Sequence, residues 1–360
     1  MGHSGHKQLR TAQPDRRVLA ELPKIEVHRH LEGTYPMDSL FKMAHKNKLD
    51  VPEDLKAFKE AFQFPKKHEP DFHLFLSKFK KFWYKSLEDV AGISYDSVKS
   101  FKEDSLHYIE LRFNPLHFTE LSGLDPGDVT RTIIDSSDAA ANEIDLDIRY
   151  ILTFNRSVQS ASEMLETYRA LHENDLSKVV GIDLAGDEIN YPPELFTKFF
   201  DVVKKEGRFG IDIHAGEVSD SKNIWVSIEQ LHADRIGHGV SAYYDPKLQK
   251  VLKENNIFLA QCITSNYQTG AWRVEFTHPM KSLVDAGVPI SVASDDPTVQ
   301  DSLLLDDYAK TIKNFGWTVN DLIELNFKSI DGCFLSPSEK EVLTQNYTCA
   351  ISAFREKTGF

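Results

Sequence analysis

The chain is poor in cysteine. Cys262, Cys333 and Cys349 are the only three in 360 residues, and no two form a CxxC pair. An odd, scattered set argues against a disulfide framework or a cysteine-built zinc site and favours a reducing compartment. Long apolar runs are missing too: none approaches the roughly 20 residues of a membrane span. The N-terminal MGHSGHKQLRTAQPDRR has no apolar segment, so no secretory signal is expected. Residues 1–20 read as a flexible tail, in preference to a metal site at His3 and His6. Positive charge is in deficit. A net charge of −13 argues against nucleic acid or an anionic membrane as the main partner, although a local nucleobase site remains compatible with it. No GxGxxG follows the first apolar run, so a dinucleotide fold has no support. These absences lead to the expectation of a cytoplasmic protein.

What remains is enough for a substantial core: 41% of residues are hydrophobic and 27% charged. Short β-branched runs alternate with amphipathic segments. They are KIEVHRH (24–30), HYIELRF (107–113), LDIRYILTF (146–154), KVVGIDLAG (178–186), FGIDIHAGE (209–217), DRIGHG (234–239), NIFLAQCITSN (256–266) and GVPISVASDD (287–296). Eight strands with helices between them predict parallel βαβ units and a closed α/β barrel, (β/α)₈, over 21–360. An open doubly wound sheet is the competitor. The stretch from about 34 to 106 is too long for a simple connection. It is expected to be a helical insertion over the barrel mouth, with further helices after the last strand. Within it, KFKKFWYK reads as a helix with a packed aromatic face and a solvated lysine face, in preference to a nucleic-acid patch.

In such a barrel the chemistry lies at the C-terminal strand ends. The first strand ends in His28 and His30, which share one face at i, i+2. Arg29 faces the other way and calls for a carboxylate partner. The fourth strand ends at Gly186, the fifth at His214 with Glu217 three residues on, the sixth at His238 between glycines, and the eighth at Asp295 and Asp296. Each alone has a bland explanation: a polar strand end, a satisfied core histidine, a glycine turn, an Asp-Pro turn opener. Together they do not, because four of the fourteen histidines fall at the same end of successive units. Three histidines and a carboxylate suit zinc or a similar divalent ion, and Glu217 could serve as a base beside it. The residues therefore predict metal-assisted hydrolysis. A two-metal hydrolase with a bridging lysine is disfavoured, since no lysine sits at a strand's C-terminal end.

Over residues 20–350 the sequence resembles the adenosine deaminase family. LPKIEVHRHLEGT, IELRFNP, GIDLAGDE, IHAGE, RIGHG, TSNYQTGAW and SDDP occur in that family's order. The resemblance implies one Zn²⁺ per chain held by His28, His30, His214 and Asp295. Glu217 would donate a proton to purine N1, and a water acidified by the metal would attack C6 and expel ammonia. His238 would orient that water and either stabilise its charge or take its proton. Asp296 would meet N7, with one proton between the two acceptors. Gly186 N–H would meet N3, and Glu32 would bind a ribose hydroxyl. The implied substrates are the purine nucleosides adenosine and 2′-deoxyadenosine, in purine salvage. A deaminase of adenine or another N6-aminopurine is the first alternative, and an inactive nucleoside-binding barrel is the second. Phe62, Phe64 and Leu76 are expected in the apolar wall of the pocket. Ile263 and Ala293 depart from the family's usual proline and polar residue.

Overall fold

Strand VVGIDLA shows how the sequence builds the barrel. Ile182 and Leu184 face outward into the helical layer, Asp183 faces inward, and all three are fully buried. Strands buried on both faces in this way belong to parallel sheets covered by helices. The structure, a computed structural model, describes residues 16–360. Its eight strands are β1 (Lys24–His30), β2 (Leu106–Phe113), β3 (Asp147–Asn155), β4 (Val179–Ala185), β5 (Gly210–Ala215), β6 (Arg235–His238), β7 (Phe258–Gln261) and β8 (Ile290–Val292). All neighbours are parallel and follow chain order. The ring closes just past β8, where Asp295 N–H donates to His28 O and His30 N–H donates to Asp295 O, both at 2.9 Å. The (β/α)₈ barrel is thus the fold, and the open sheet is excluded.

Helices alternate with these strands and start on ordinary chemical signals. Ser160 and Glu163 make a reciprocal capping box before Ala161–Leu171, and Ser336 and Glu339 do the same before the C-terminal helix Pro337–Thr358. Leu343, Tyr347, Ile351 and Phe354 recur at helical spacing and bury that last helix on the barrel.

Three segments differ from expectation. Of the tail expected over 1–20, residues 1–15 lie outside the described residues, and Arg16–Glu21 form a short helix that buries Leu19. β7 ends at Gln261, and Ile263–Gln268 is helical. Ile263 is the first residue of that helix, a position that proline also tolerates. KFKKFWYK is not a helix. Trp83 and Tyr84 are nevertheless both buried. Asn47 Nδ2 donates to Trp83 O and to Asp89, while Asp89 also accepts from Lys85 N–H. These side chains hold the backbone irregular. Elsewhere the 34–106 insertion carries helices at Met37–Lys46, Leu55–Phe62, Phe72–Leu76 and Leu87–Ser100. No helix among the described residues is long and apolar enough to cross a membrane.

Candidate active site

The barrel floor is polar. Arg112 on β2 bonds Asp212 on β5 at 2.7 Å and approaches Asp183 on β4 at 3.3 Å. Arg235 on β6 bonds the same Asp212 at 2.9 Å and Glu110 on β2 at 2.7 Å. All five side chains are fully buried, so each charge is tolerable only because its partners are fixed. Arg29 finds its carboxylate in Asp104, at 2.6 Å, and also donates to Ser294.

On this floor stand the strand-end histidines. The His30 and His214 Nε2 atoms lie 3.1 Å apart. His28 and His30 Nε2 approach Asp295 Oδ1 at 3.2 and 3.4 Å. One ligand atom from each of these four residues falls within 4.8 Å of the others. His214 Nδ1 donates to Asp183 at 2.9 Å, which leaves its Nε2 lone pair facing the cluster. His28 is fully buried, and neither of its ring nitrogens has a hydrogen-bond partner. An unsatisfied buried polar atom costs about 1–3 kcal/mol, a cost that a bound cation removes. Burial lowers the His30 pKa to about 3, so the ring is neutral and a nitrogen lone pair is available to a metal. Burial alone would raise Asp295, but the surrounding histidines, led by His28, hold it well below the carboxylate range. The residues therefore fit a zinc ion.

Backbone geometry serves the cluster. Asp295 and His238 both adopt left-handed conformations, with φ of +66° and +61°, unusual for residues with a Cβ and typical of functional sites. Gly237 is required because a Cβ there would lie 2.6 Å from the His28 ring. Gly33 is required because a Cβ would lie 1.8 Å from Asp296 Oδ1.

Around the cluster lies a cavity of about 440 Å³, lined by His30, His214, Glu217, His238, Asp295 and Asp296 at its base. Glu217 is 9% exposed, with Oε2 3.7 Å from His238 Nε2. Burial, reinforced by the charges of Asp295 and Glu188, raises its pKa well above the usual carboxylate value. Glu188 also builds the loop that carries Glu217: it accepts from Gly216, Val218 and Ser219 N–H at 2.7–3.1 Å. Glu32 lines the same cavity. Its Oε1 accepts from Asn114 N–H at 2.6 Å, its Oε2 has no partner, and burial raises its pKa to about 7. Asp296 Oδ1 also has no partner. Gly186, at φ +105°, brings bare backbone to the wall.

The apolar wall differs from expectation. Leu76 lines the cavity, but Phe62 and Phe64 do not. Phe62 packs into an aromatic cluster with Phe58 and Trp83, at 4.7 and 4.8 Å between ring centroids. Phe64 sits one layer back, buried with Phe75 and Val299. The wall is formed instead by Phe72, Phe75, Leu76 and Phe79. Reading the sequence also missed Lys81, Asn114 and His117 in the lining. FHLFLSKF repeats apolar residues in the manner of a helix, but that pattern does not say whether they face ligand or core.

Fold and site together define a metal-dependent hydrolase of the (β/α)₈ type. Comparison with known proteins narrows this. The adenosine deaminase family model matches residues 23–348. An adenosine deaminase of Aliivibrio fischeri is 32% identical over 333 residues, covering 91% of this chain and 98% of that protein. Among solved structures, an amidohydrolase from Burkholderia ambifaria with bound Zn superposes with a TM-score of 0.85 at 22% identity, over 98% of this chain and 97% of that one. An adenine deaminase from Arthrobacter aurescens gives 0.83 at 23% identity, over 92% and 99%. The chain belongs to the adenosine deaminase family. It is accordingly a zinc-dependent hydrolase of cyclic amidine C–N bonds, with adenosine deamination as its activity.

Proposed function

We propose that the cavity binds adenosine and 2′-deoxyadenosine as free nucleosides, and that the strand-end residues divide the deamination as follows. His28, His30, His214 and Asp295 hold the zinc, whose Lewis acidity brings the pKa of water toward neutrality. Glu217 donates a proton to purine N1, which withdraws electrons from C6 and opens it to water. The observation that carries this role is a carboxyl 9% exposed, pushed upward by burial, in the same cavity as the four-ligand cluster. His238 Nε2, on the same side as Glu217, holds the attacking water. Asp296 pairs with N7, its Oδ1 being free of protein partners, and the Gly186 backbone meets N3. Glu32 takes a ribose hydroxyl on its free Oε2, while Asn114 N–H fixes its other oxygen. Phe72, Phe75, Leu76 and Phe79 cover the nucleoside and exclude water.

An ultraviolet assay tests this with metal-quantified protein and four compounds: adenosine, 2′-deoxyadenosine, adenine and N6-methyladenosine. The two unmodified nucleosides are expected to turn over far faster than adenine. Glu32→Ala should erase most of that preference by weakening nucleoside turnover alone. Preferential turnover of adenine, with no effect of Glu32→Ala, would overturn the reading.

A further inference from the structure

His238 can act as hydrogen-bond donor or as acceptor at Nε2, depending on which ring nitrogen carries its proton, and three residues away from the reacting atoms decide this. Met280 N–H, at the start of helix Met280–Asp285, donates to His278 Nδ1 at 3.3 Å. Nδ1 of His278 is therefore the acceptor, and its neutral ring carries the proton on Nε2. That Nε2 lies 3.0 Å from Asn266 Oδ1 and donates to it. The Asn266 amide is thereby oriented, and its Nδ2 faces His238 Nδ1 at 3.1 Å. An amide nitrogen donates only, so His238 Nδ1 accepts and Nε2 holds the ring proton. All three side chains are buried, at 3%, 0% and 1% exposure, so water does not compete for these bonds.

We propose that His278 and Asn266 are positioning residues that fix His238 in its Nε2–H form. The proposal rests on the role given to His238 above. It assigns that residue in the resting site as a donor toward the attacking water, not as the base that removes its proton. Asn266 lies in the TSNYQTG stretch and His278 twelve residues on, between Thr277 and Pro279. Neither lines the substrate cavity, so any effect they have on turnover passes through His238.

Neutron diffraction from deuterated crystals tests the assignment without reference to activity. Density for deuterium is expected on His238 Nε2 and on His278 Nε2. Deuterium on His238 Nδ1 instead would overturn the proposal. The second arm is Asn266→Asp, nearly identical in shape but an acceptor at both oxygens, which pulls the His238 proton to Nδ1. Its zinc content and KM should match the wild type while kcat falls about 100-fold. His278→Gln, which can accept from Met280 and donate to Asn266, should restore most of the kcat lost in His278→Leu. Wild-type kcat in a folded Asn266→Asp protein, or equal kcat in the two His278 variants, would contradict the relay. If Asn266→Asp does not fold, the His278 pair and the neutron map still decide. Absence of adenosine turnover in the wild type would defeat the functional reading and leave the neutron result standing.

Discussion

The base and the wall of the same cavity are built on opposite rules. The base is polar and tied down by fixed partners: His214 to Asp183, Asp183 beside Arg112, Arg112 and Arg235 to Asp212. Each group there has one geometry, because a buried charge that shifts loses its partner at a cost of about 3–5 kcal/mol. The wall of Phe72, Phe75, Leu76 and Phe79 comes from a five-residue helix and the irregular chain that follows, with no buried ion pair among its members. A rigid base suits bond making, since catalytic groups must be held close to their productive geometry. An apolar wall on a short helix suits closure over a nucleoside and choice among its substituents.

Substitutions at the base should therefore alter metal and turnover, and substitutions at the wall should alter KM. The largest effect is expected from Asp295→Ala, which removes the carboxylate assigned to the metal and leaves the backbone bonds of the barrel closure in place. Zinc analysis should show the metal lost and turnover abolished. Retained zinc would break the comparison at its strongest point. Asp183→Asn should weaken zinc affinity by about 10–100-fold, measured by chelator competition, because it unfixes the His214 ring.

At the wall, Phe75→Ala should raise KM for adenosine about tenfold with kcat nearly unchanged, in line with about 1–3 kcal/mol for a lost apolar contact. Phe62→Leu is the contrasting case. It should lower stability by about 1 kcal/mol in urea and leave KM alone, since Phe62 packs against Phe58, Phe82 and Trp83 and does not line the cavity. An effect of Phe62→Leu on KM would move the boundary between wall and core.

A last effect concerns acid. Burial lowers the pKa of His117, in the cavity lining, from 6.5 to about 3. Between those values the unfolded chain binds a proton that the folded protein does not. Stability from this group is full above pH 6.5 and is lost as pH falls toward 3. His117→Gln should flatten the rise of unfolding free energy with pH between 4 and 6 by up to about 1.4 kcal/mol per unit. An unchanged slope would mean that His117 titrates alike in both states.

The same contrast explains what could be read in the amino-acid string. HRHLEG, IHAGE, RIGHG and SDDP announce themselves because in each a histidine or aspartate falls where a strand stops. The eight strands were legible because their runs are short, β-branched and separated by helical patterns. The wall was not legible: Phe62, Phe64, Phe72 and Phe75 are the same residue type, and only tertiary packing decides which of them meets a ligand. KFKKFWYK misled because Asn47, remote in sequence, and Asp89, four residues beyond its end, hold it irregular. The Asp183–Arg112–Asp212–Arg235 network had a signal, charges at inward positions of GIDLA, ELRF, GIDIH and DRIGH, but pairing them required the barrel to be closed. Asn266 and His278 lay in plain sight, and only their hydrogen bonds give them a role.

The central claim is that the base of the cavity performs the chemistry through a carboxyl that is not itself a metal ligand. Zinc content and adenosine turnover of Glu217→Gln, measured on one preparation, test it directly. One zinc per chain with turnover reduced by about 10²–10⁴ is the predicted result. Full zinc with near-normal turnover would contradict the assigned role of Glu217, and with it this account of the site.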